Sequence, residues 1–214
     1  MWWAFLVALG AGYLLGSLPV GLWVGRVARG IDIRQYGSGK TGVTNVARTV
    51  GVRWGVVALA GDLAKGAVPV LIARLISDEP YVQAVAGLAA AIGHDWPAYV
   101  GFRGGRGVAT SYGAALAMSP IPAAALLPFG IGVVAATRIM SLLSVGMAPV
   151  LAAVFIVLAA AGFHPWAYAV YAIVAAAQVV FLHWENVQRL LAGTEPKLGQ
   201  GGVRRDEAGE SPAP

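Results

Sequence analysis

The residues able to do chemistry fall into three glycine-rich or basic clusters separated by long apolar stretches. The first is Gly37-Ser38-Gly39-Lys40-Thr41-Gly42-Val43-Thr44-Asn45-Val46-Ala47-Arg48. Its glycines leave backbone N–H groups unhindered, and Ser38, Lys40, Thr44, Asn45 and Arg48 add hydroxyls, an amide and cations, the groups that hold a phosphate. Gly39-Lys40-Thr41 looks like the end of a nucleotide-binding P-loop. That pattern requires glycine at position 34, where the chain has Arg34, and a strand–loop–helix unit that nothing here suggests. A flexible basic loop that binds nothing is the plainer alternative.

The second cluster is Gly101-Phe102-Arg103-Gly104-Gly105-Arg106-Gly107, after Gly93-His94 and before Thr110-Ser111. Arg103 and Arg106 around paired glycines can present guanidinium forks to an oxyanion with little steric obstruction. A positive anchor at a membrane edge would explain the arginines but not the four glycines. The third cluster is His183, Glu185, Asn186, Arg189, Gly193, Glu195 and Lys197. His183 and Asn186, spaced i, i+3, share one face of a helix; a solvated helix beside the membrane is the alternative. Arg138 with Ser141 and Ser144 forms a further cation-and-hydroxyl set. Within an apolar stretch, Asp62 and Lys65 are i, i+3 neighbours that can neutralise each other, a structural strut at least as much as a catalytic pair.

Several chemistries are excluded. There is no cysteine, and the histidines at 94, 164 and 183 lack metal-ligand spacing. No Gly-x-Ser-x-Gly nucleophile elbow occurs. No His-x4-Asp acyltransferase pair occurs either, since Tyr99, Ala169 and Gln188 stand five residues after the histidines. No cofactor is called for, and with the basic residues clustered the net charge of +5 needs no nucleic acid to explain it.

The elements that must position these clusters are set by composition. Of 214 residues, 58% are hydrophobic and 12% charged, and mean hydropathy is +0.71. A soluble domain is about 25% charged and could not cover that much apolar surface. The expected fold is therefore an all-α integral membrane protein. Apolar segments run over 2–24, 54–74, 81–100, 108–119, 121–137, 140–161 and 165–183, most near the ~20 residues a crossing needs. The first has no basic leader and is too long for a signal peptide, so it reads as a retained span. Residues 1–198 form one polytopic domain, and the Gly-, charge- and Pro-rich 199–214 read as a disordered tail.

A seven-helix bundle with its N-terminus outside puts thirteen of the fifteen Lys and Arg residues in the cytoplasm, leaving only Lys65 and Arg74. Were 108–137 one crossing, Arg138 and the basic C-terminal segment would move outside. A short hairpin broken near Pro120 and Pro122 is therefore favoured over the six-span rival.

Taken in order, the clusters resemble the bacterial acyl-phosphate:glycerol-3-phosphate acyltransferases, the PlsY family. The resemblance runs through Tyr13-Leu14-Leu15-Gly16-Ser17-Leu18-Pro19 with Gly21; Asp32-Ile33-Arg34; the first cluster; Gly61-Asp62 with Lys65-Gly66; Gly93-His94; the Phe102–Thr110 loop; Arg138 with Ser141; and His183, Asn186, Arg189, Gly193 and Glu195. It implies a seven-helix bundle of the bacterial inner membrane with a site facing the cytoplasm. It also implies acyl transfer from a long-chain acyl phosphate to the 1-hydroxyl of glycerol 3-phosphate in phospholipid synthesis, without an acyl-enzyme. A monomer is the expected unit.

On that resemblance Ser38, Asn45, Arg48, His183 and Asn186 are the catalytic set. Gly37, Gly39, Lys40, Thr44, Arg103, Gly104, Gly105, Arg106, Gly107, Arg138 and Ser141 are the substrate-binding set, and Asp62, Lys65 and Glu195 are structural. The hydroxyl proton goes to substrate phosphate or to His183. This chain departs at Lys40, where the family usually has Asn, at Arg103 and Arg106, where it has Lys, and at Trp96, where it has Phe. The rival from another class is a small anion or phosphate transporter, which would need polar residues through the midplane of several spans. A catalytically inert scaffold of the same fold is a third reading.

Overall fold

A computed structural model describes residues 2–206. These form eleven α-helices: α1 (Trp2–Gly16), α2 (Val20–Arg29), α3 (Val43–Thr49), α4 (Val52–Ile76), α5 (Pro80–Asp95), α6 (Val108–Met118), α7 (Pro120–Ala125), α8 (Leu127–Thr137), α9 (Met140–Ala160), α10 (Trp166–Leu182) and α11 (Trp184–Leu191). Two 3₁₀ turns, Ile33–Gln35 and Ala98–Val100, lie in the connections. Trp2–Arg29, Val52–Ile76, Pro120–Thr137 and Met140–Ala160 are long and apolar enough to cross a membrane. The pair α10–α11, bent by 64°, makes a fifth if counted as one span. The expected seven spans include α5 and α6, which have 16 and 11 residues.

Close backbone approach organises the bundle. The buried residues of α1 are Ala4, Ala8, Gly12 and Gly16, one every fourth position, so a single stripe of small residues faces α5. Apolar side chains gain nothing by leaving lipid for other apolar side chains, so membrane helices associate where small residues let backbones pack. A Cβ on Gly16 would collide with the Ala90 backbone, and one on Gly93 with the Tyr13 carbonyl. The same holds where α4 crosses α6: Gly66 lies on the Thr110 carbonyl and Gly113 on the Leu63 carbonyl. α5 is central, flanked by α1, α4, α6 and α10, and Ala84, Ala86, Ala89, Ala90 and Ala91 are buried along it.

The first apolar segment is not one helix. Pro19 cannot donate a backbone hydrogen bond, and the helix stops at Gly16 and restarts at Val20. Lys65 repairs the break: its Nζ donates to the Leu18 carbonyl at 2.9 Å while pairing with Asp62 at 3.0 Å. His94 Nδ1 lies 3.5 Å from the same carboxylate oxygen. All three side chains are nearly excluded from the surface, so the charges neutralise one another and join the α1–α2 break, α4 and α5. The third segment likewise ends early, at Asp95, and the fifth is interrupted at Leu126.

Residues 207–214 of the expected tail lie outside the described residues. Residues 199–206 are described, and they run back along the first cluster. Gly37 N–H donates to the Val203 carbonyl at 3.0 Å and Arg205 N–H to the Gln35 carbonyl at 2.9 Å, with Tyr36 opposite Arg204. This stretch is not free chain, because the loop's outward backbone groups give it partners.

The glycine crossings predict a contrast. Gly66→Ala forces α4 from α6 and lowers stability by about 1–3 kcal/mol, as overpacking does. Gly146→Ala, in α9 with nothing within 4 Å of an added Cβ, is neutral or stabilising by up to about 1 kcal/mol. Thermal unfolding midpoints in detergent distinguish these outcomes; equal shifts would contradict the crossing.

Candidate active site

The first cluster is a loop held from within. Asp32 accepts from the Arg34 backbone and guanidinium at 2.8–3.0 Å, and Arg34 Nη1 reaches the Val100 carbonyl at 3.0 Å, tying this loop to the next. The Arg34 hydrogen bond outweighs burial and holds the Asp32 carboxyl below its ordinary value. Asn45, 2% exposed, sits at the loop's centre. Its Nδ2 lies 2.9–3.1 Å from the Ile33, Tyr36 and Lys40 carbonyls, and its Oδ1 accepts from Ser38 N–H at 3.2 Å. Asn45 therefore shapes the loop instead of offering its amide outward.

The loop's backbone amides are mostly satisfied in the same way. The N–H groups of Gly37, Ser38, Gly39 and Thr41 go to Val203, Asn45, Tyr36 and Gly104. The expected cradle of open glycine amides is thus largely spent inside the protein. Gly37 and Gly39 adopt positive φ, +52° and +69°, which is why glycine stands there. The groups left to face a ligand are side chains: Ser38, Lys40, Thr44 and, from the second loop, Arg106.

The second loop folds over the end of α5. Gly105 N–H donates to the His94 carbonyl at 3.1 Å, and Cβ atoms on Gly104 and Gly105 would strike His94. Gly107 lies over the Asp95 carboxylate, which accepts from Gln178 of α10. The glycines thus let this loop lie flat and aim Arg106 inward, while Arg103 points to the surface.

The third cluster surrounds the bend between α10 and α11. Glu195 accepts from Asn186 Nδ2 at 2.6 Å and Arg189 Nε at 2.7 Å, with Ser141 beside it. Burial raises its pKa, but the hydrogen bonds from Asn186, Ser141 and Arg189 outweigh that and hold the carboxyl below its ordinary value. His183 Nδ1 lies 2.8 Å from the Val179 carbonyl. A carbonyl only accepts, so the proton is assigned to Nδ1, leaving the Nε2 lone pair of the neutral ring as an acceptor.

These pieces meet at the mouth of a cavity of about 650 Å³. Ser38, Lys40, Thr44, Asn45, Arg106, Gly107 and His183 line its polar end, together with Asp62 and His94. Arg48, Arg189 and Glu195 lie within electrostatic range of Arg106. Desolvation lowers the pKa values of Arg48 and Arg106, and the buried Nε of each lacks a hydrogen-bond partner. Asn186 Oδ1 is buried without a partner as well. Beyond the mouth the walls turn apolar, with Leu126 at the break before α8 and Ile131, Val134, Leu143, Met147 and Leu151 on α8 and α9.

Of the expected residues, Arg138 stands apart from this mouth. It caps α8 in the left-handed region (φ +60°), accepts from Leu198 N–H at 2.7 Å and donates from Nη2 to the Leu198 carbonyl at 3.1 Å. Gly37, Gly39, Gly104 and Gly105 back the site without lining it. Sequence reasoning missed His94 as a wall residue, although Gly93-His94 flagged the position. It also missed the apolar arm, whose residues carry no signal beyond their hydrophobicity.

Comparison with known proteins identifies the family and the fold. The family model for glycerol-3-phosphate acyltransferase matches residues 6–193. A protein of that name from Synechococcus sp. (strain CC9902) is 42% identical over 92% of this chain and 96% of its own. Another, from Synechococcus sp. (strain JA-3-3Ab), is 45% identical over 92% and 94%. The crystal structure of PlsY (YgiH), an integral membrane glycerol 3-phosphate acyltransferase, in its glycerol 3-phosphate form, superposes with a TM-score of 0.80. It is 36% identical, covering 91% of this chain and 96% of the other.

Glu195 gives this site a pH signature. Its carboxyl is held below its ordinary value of 4.5 in the folded protein, so the unfolded chain takes up the proton first. The stabilisation is full at neutral pH and is lost as pH falls through the ordinary carboxylate range and below. Glu195→Gln should lower the unfolding midpoint at pH 7 and flatten its decline between about pH 5 and 3, the range this linkage spans. An unchanged acid limb would contradict the assignment.

Proposed function

The chain belongs to the glycerol-3-phosphate acyltransferase family, and from that premise we propose that it transfers a fatty acyl group from acyl phosphate to the 1-hydroxyl of glycerol 3-phosphate. The products are lysophosphatidate and inorganic phosphate. One observation carries the reading: Arg106, Lys40 and Ser38 stand with His183 at the polar mouth of a cavity whose remaining walls are apolar. Such a shape suits a reactant with a charged head and a long hydrocarbon chain.

An acyl phosphate is an activated mixed anhydride, so no covalent enzyme intermediate is needed. The glycerol oxygen attacks the carbonyl carbon, the new C–O bond forms, and the bond to the phosphate oxygen breaks. The hydroxyl proton leaves to the departing phosphate or to His183 Nε2. Catalysis then consists of holding two phosphates together and stabilising charge on the carbonyl oxygen. Arg106, with Arg48 behind it, binds glycerol phosphate; Ser38 and Lys40 hold the acyl phosphate. Asn45, Asn186 and Glu195 act as positioning residues. The transporter alternative lacks support, since the cavity's far end is apolar and Asp62 and Lys65 neutralise each other.

The proposed enzyme is one polytopic domain over residues 1–198, a monomer of seven spans in the bacterial inner membrane. Its site faces the cytoplasm, supported by the basic residues gathered around it. Because the chain has no cysteine, a single cysteine at Gly201 should label with impermeant thiol reagents only from the cytoplasmic side, and one at Asp78 only from outside, both positions being exposed. External labelling at Gly201 would overturn the span count.

The purified protein should use long-chain acyl phosphate and not acyl-CoA. Arg106→Ala should raise KM for glycerol 3-phosphate, and Ser38→Ala should mainly lower kcat, each by about ten- to a hundredfold, the value of one charge-assisted contact. Efficient turnover of acyl-CoA would overturn the donor assignment.

A further inference from the structure

The family match ends at Gly193, yet residues beyond it touch the candidate site in several places. Val203 and Arg205 pair with the loop backbone at Gly37 and Gln35. A Cβ on Gly202 would come within 2.7 Å of the Arg48 carbonyl oxygen, and one on Gly37 within 3.0 Å of the Gly201 carbonyl oxygen. The Arg205 guanidinium lies against Gly39 so closely that a side chain there would collide with it. Leu198 anchors the near end through its two bonds to Arg138.

None of residues 199–206 lines the cavity. The segment therefore lies behind the Ser38 loop, where Asn45 cannot reach, and does not cover the mouth. Asn45 holds the loop from inside, and without 199–205 the outward groups Gly37 N–H and Gln35 C=O would turn to solvent.

We propose that residues 199–205 are a positioning segment, a backbone brace that fixes the Ser38-bearing loop and the Arg48 backbone from their outer side. Arg205 and Val203 act through the loop and touch no substrate. The kinetic readout rests on the acyl transfer proposed above; the geometric readout does not.

Tyr36 and Arg204 are an antiparallel pair flanked by the two backbone bonds, the narrow kind with Cα atoms about 4.5 Å apart, within the span a disulfide bridges. In this cysteine-free chain, Tyr36→Cys with Arg204→Cys should cross-link under mild oxidation, and the oxidised enzyme should keep kcat and glycerol 3-phosphate KM within about twofold of the reduced form, the brace being closed already. A chain ending at Leu198 should lose about tenfold in kcat with KM unchanged within twofold, the scale of one or two backbone hydrogen bonds. Should that chain fail to fold, full-length Arg205→Pro, which removes the N–H donor, should show the same loss, and Arg205→Ala, which keeps it, should not.

Failure to cross-link would overturn the pairing. A cross-linked enzyme that is inactive until reduced would make the segment a lid and overturn the brace, as would truncation and Arg205→Pro both leaving kcat intact. If the full-length chain turns over no glycerol 3-phosphate, the proposed reaction falls instead, while the cross-link still tests the pairing.

Discussion

A charge buried in a membrane bundle must be answered by other charges or by backbone, and the group around Asp62 meets that condition in a way the rest of the structure relies on. Lys65 neutralises Asp62 and also donates to the Leu18 carbonyl at the break before Pro19, which accepts from Val20 N–H as well. His94 stands against the same carboxylate, and its own carbonyl receives the Gly105 amide. One small polar knot thus links the bend of the first segment, the central helix and the loop that aims Arg106. Removing Asp62 or Lys65 alone would leave its partner as an uncompensated buried charge, which costs several kcal/mol.

Glycine does two separate jobs around this knot. Within the helices, Gly12, Gly16, Gly66, Gly93 and Gly113 let backbones approach, which is the source of association between helices in lipid. In the loops, Gly104, Gly105 and Gly107 let the chain lie on His94 and Asp95, and Gly37 and Gly39 supply positive φ. A glycine-rich loop beside a phosphate site suggests amides aimed at the ligand. Here most of those amides bind the protein, so the loop is a mount for side chains, and in the proposed reaction affinity rests with guanidinium, ammonium and hydroxyl groups.

Much of this was legible in the sequence. Charged and polar residues are too costly in lipid to be scattered, so the positions of Ser38, Arg48, Arg106 and His183 between apolar runs already implied one polar face, and the spacing of Asp62 and Lys65 implied their pairing. Other features were hidden for physical reasons. Asn45 carries the same side chain whether it faces substrate or loop, and only the loop's path decides. Arg138 reads as a site cation but is drawn to Leu198 by a left-handed helix end. The apolar arm is lined by residues of α6, α8, α9 and α10 together, a juxtaposition that hydrophobicity alone does not encode. The Gly- and charge-rich composition of 199–206 argued for free chain, because composition does not register the backbone partners that Gln35 and Gly37 offer.

The pairing of Tyr36 with Arg204 joins positions separated by almost the whole chain. During synthesis, α1 to α10 can enter the bilayer and pack while the outer flank of the first loop still lacks its partner. The contact forms only once residues 203–205 have been made and have cleared the ribosome. The loop made first is therefore finished last, and a nascent chain can hold a nearly complete bundle well before its site acquires its final shape.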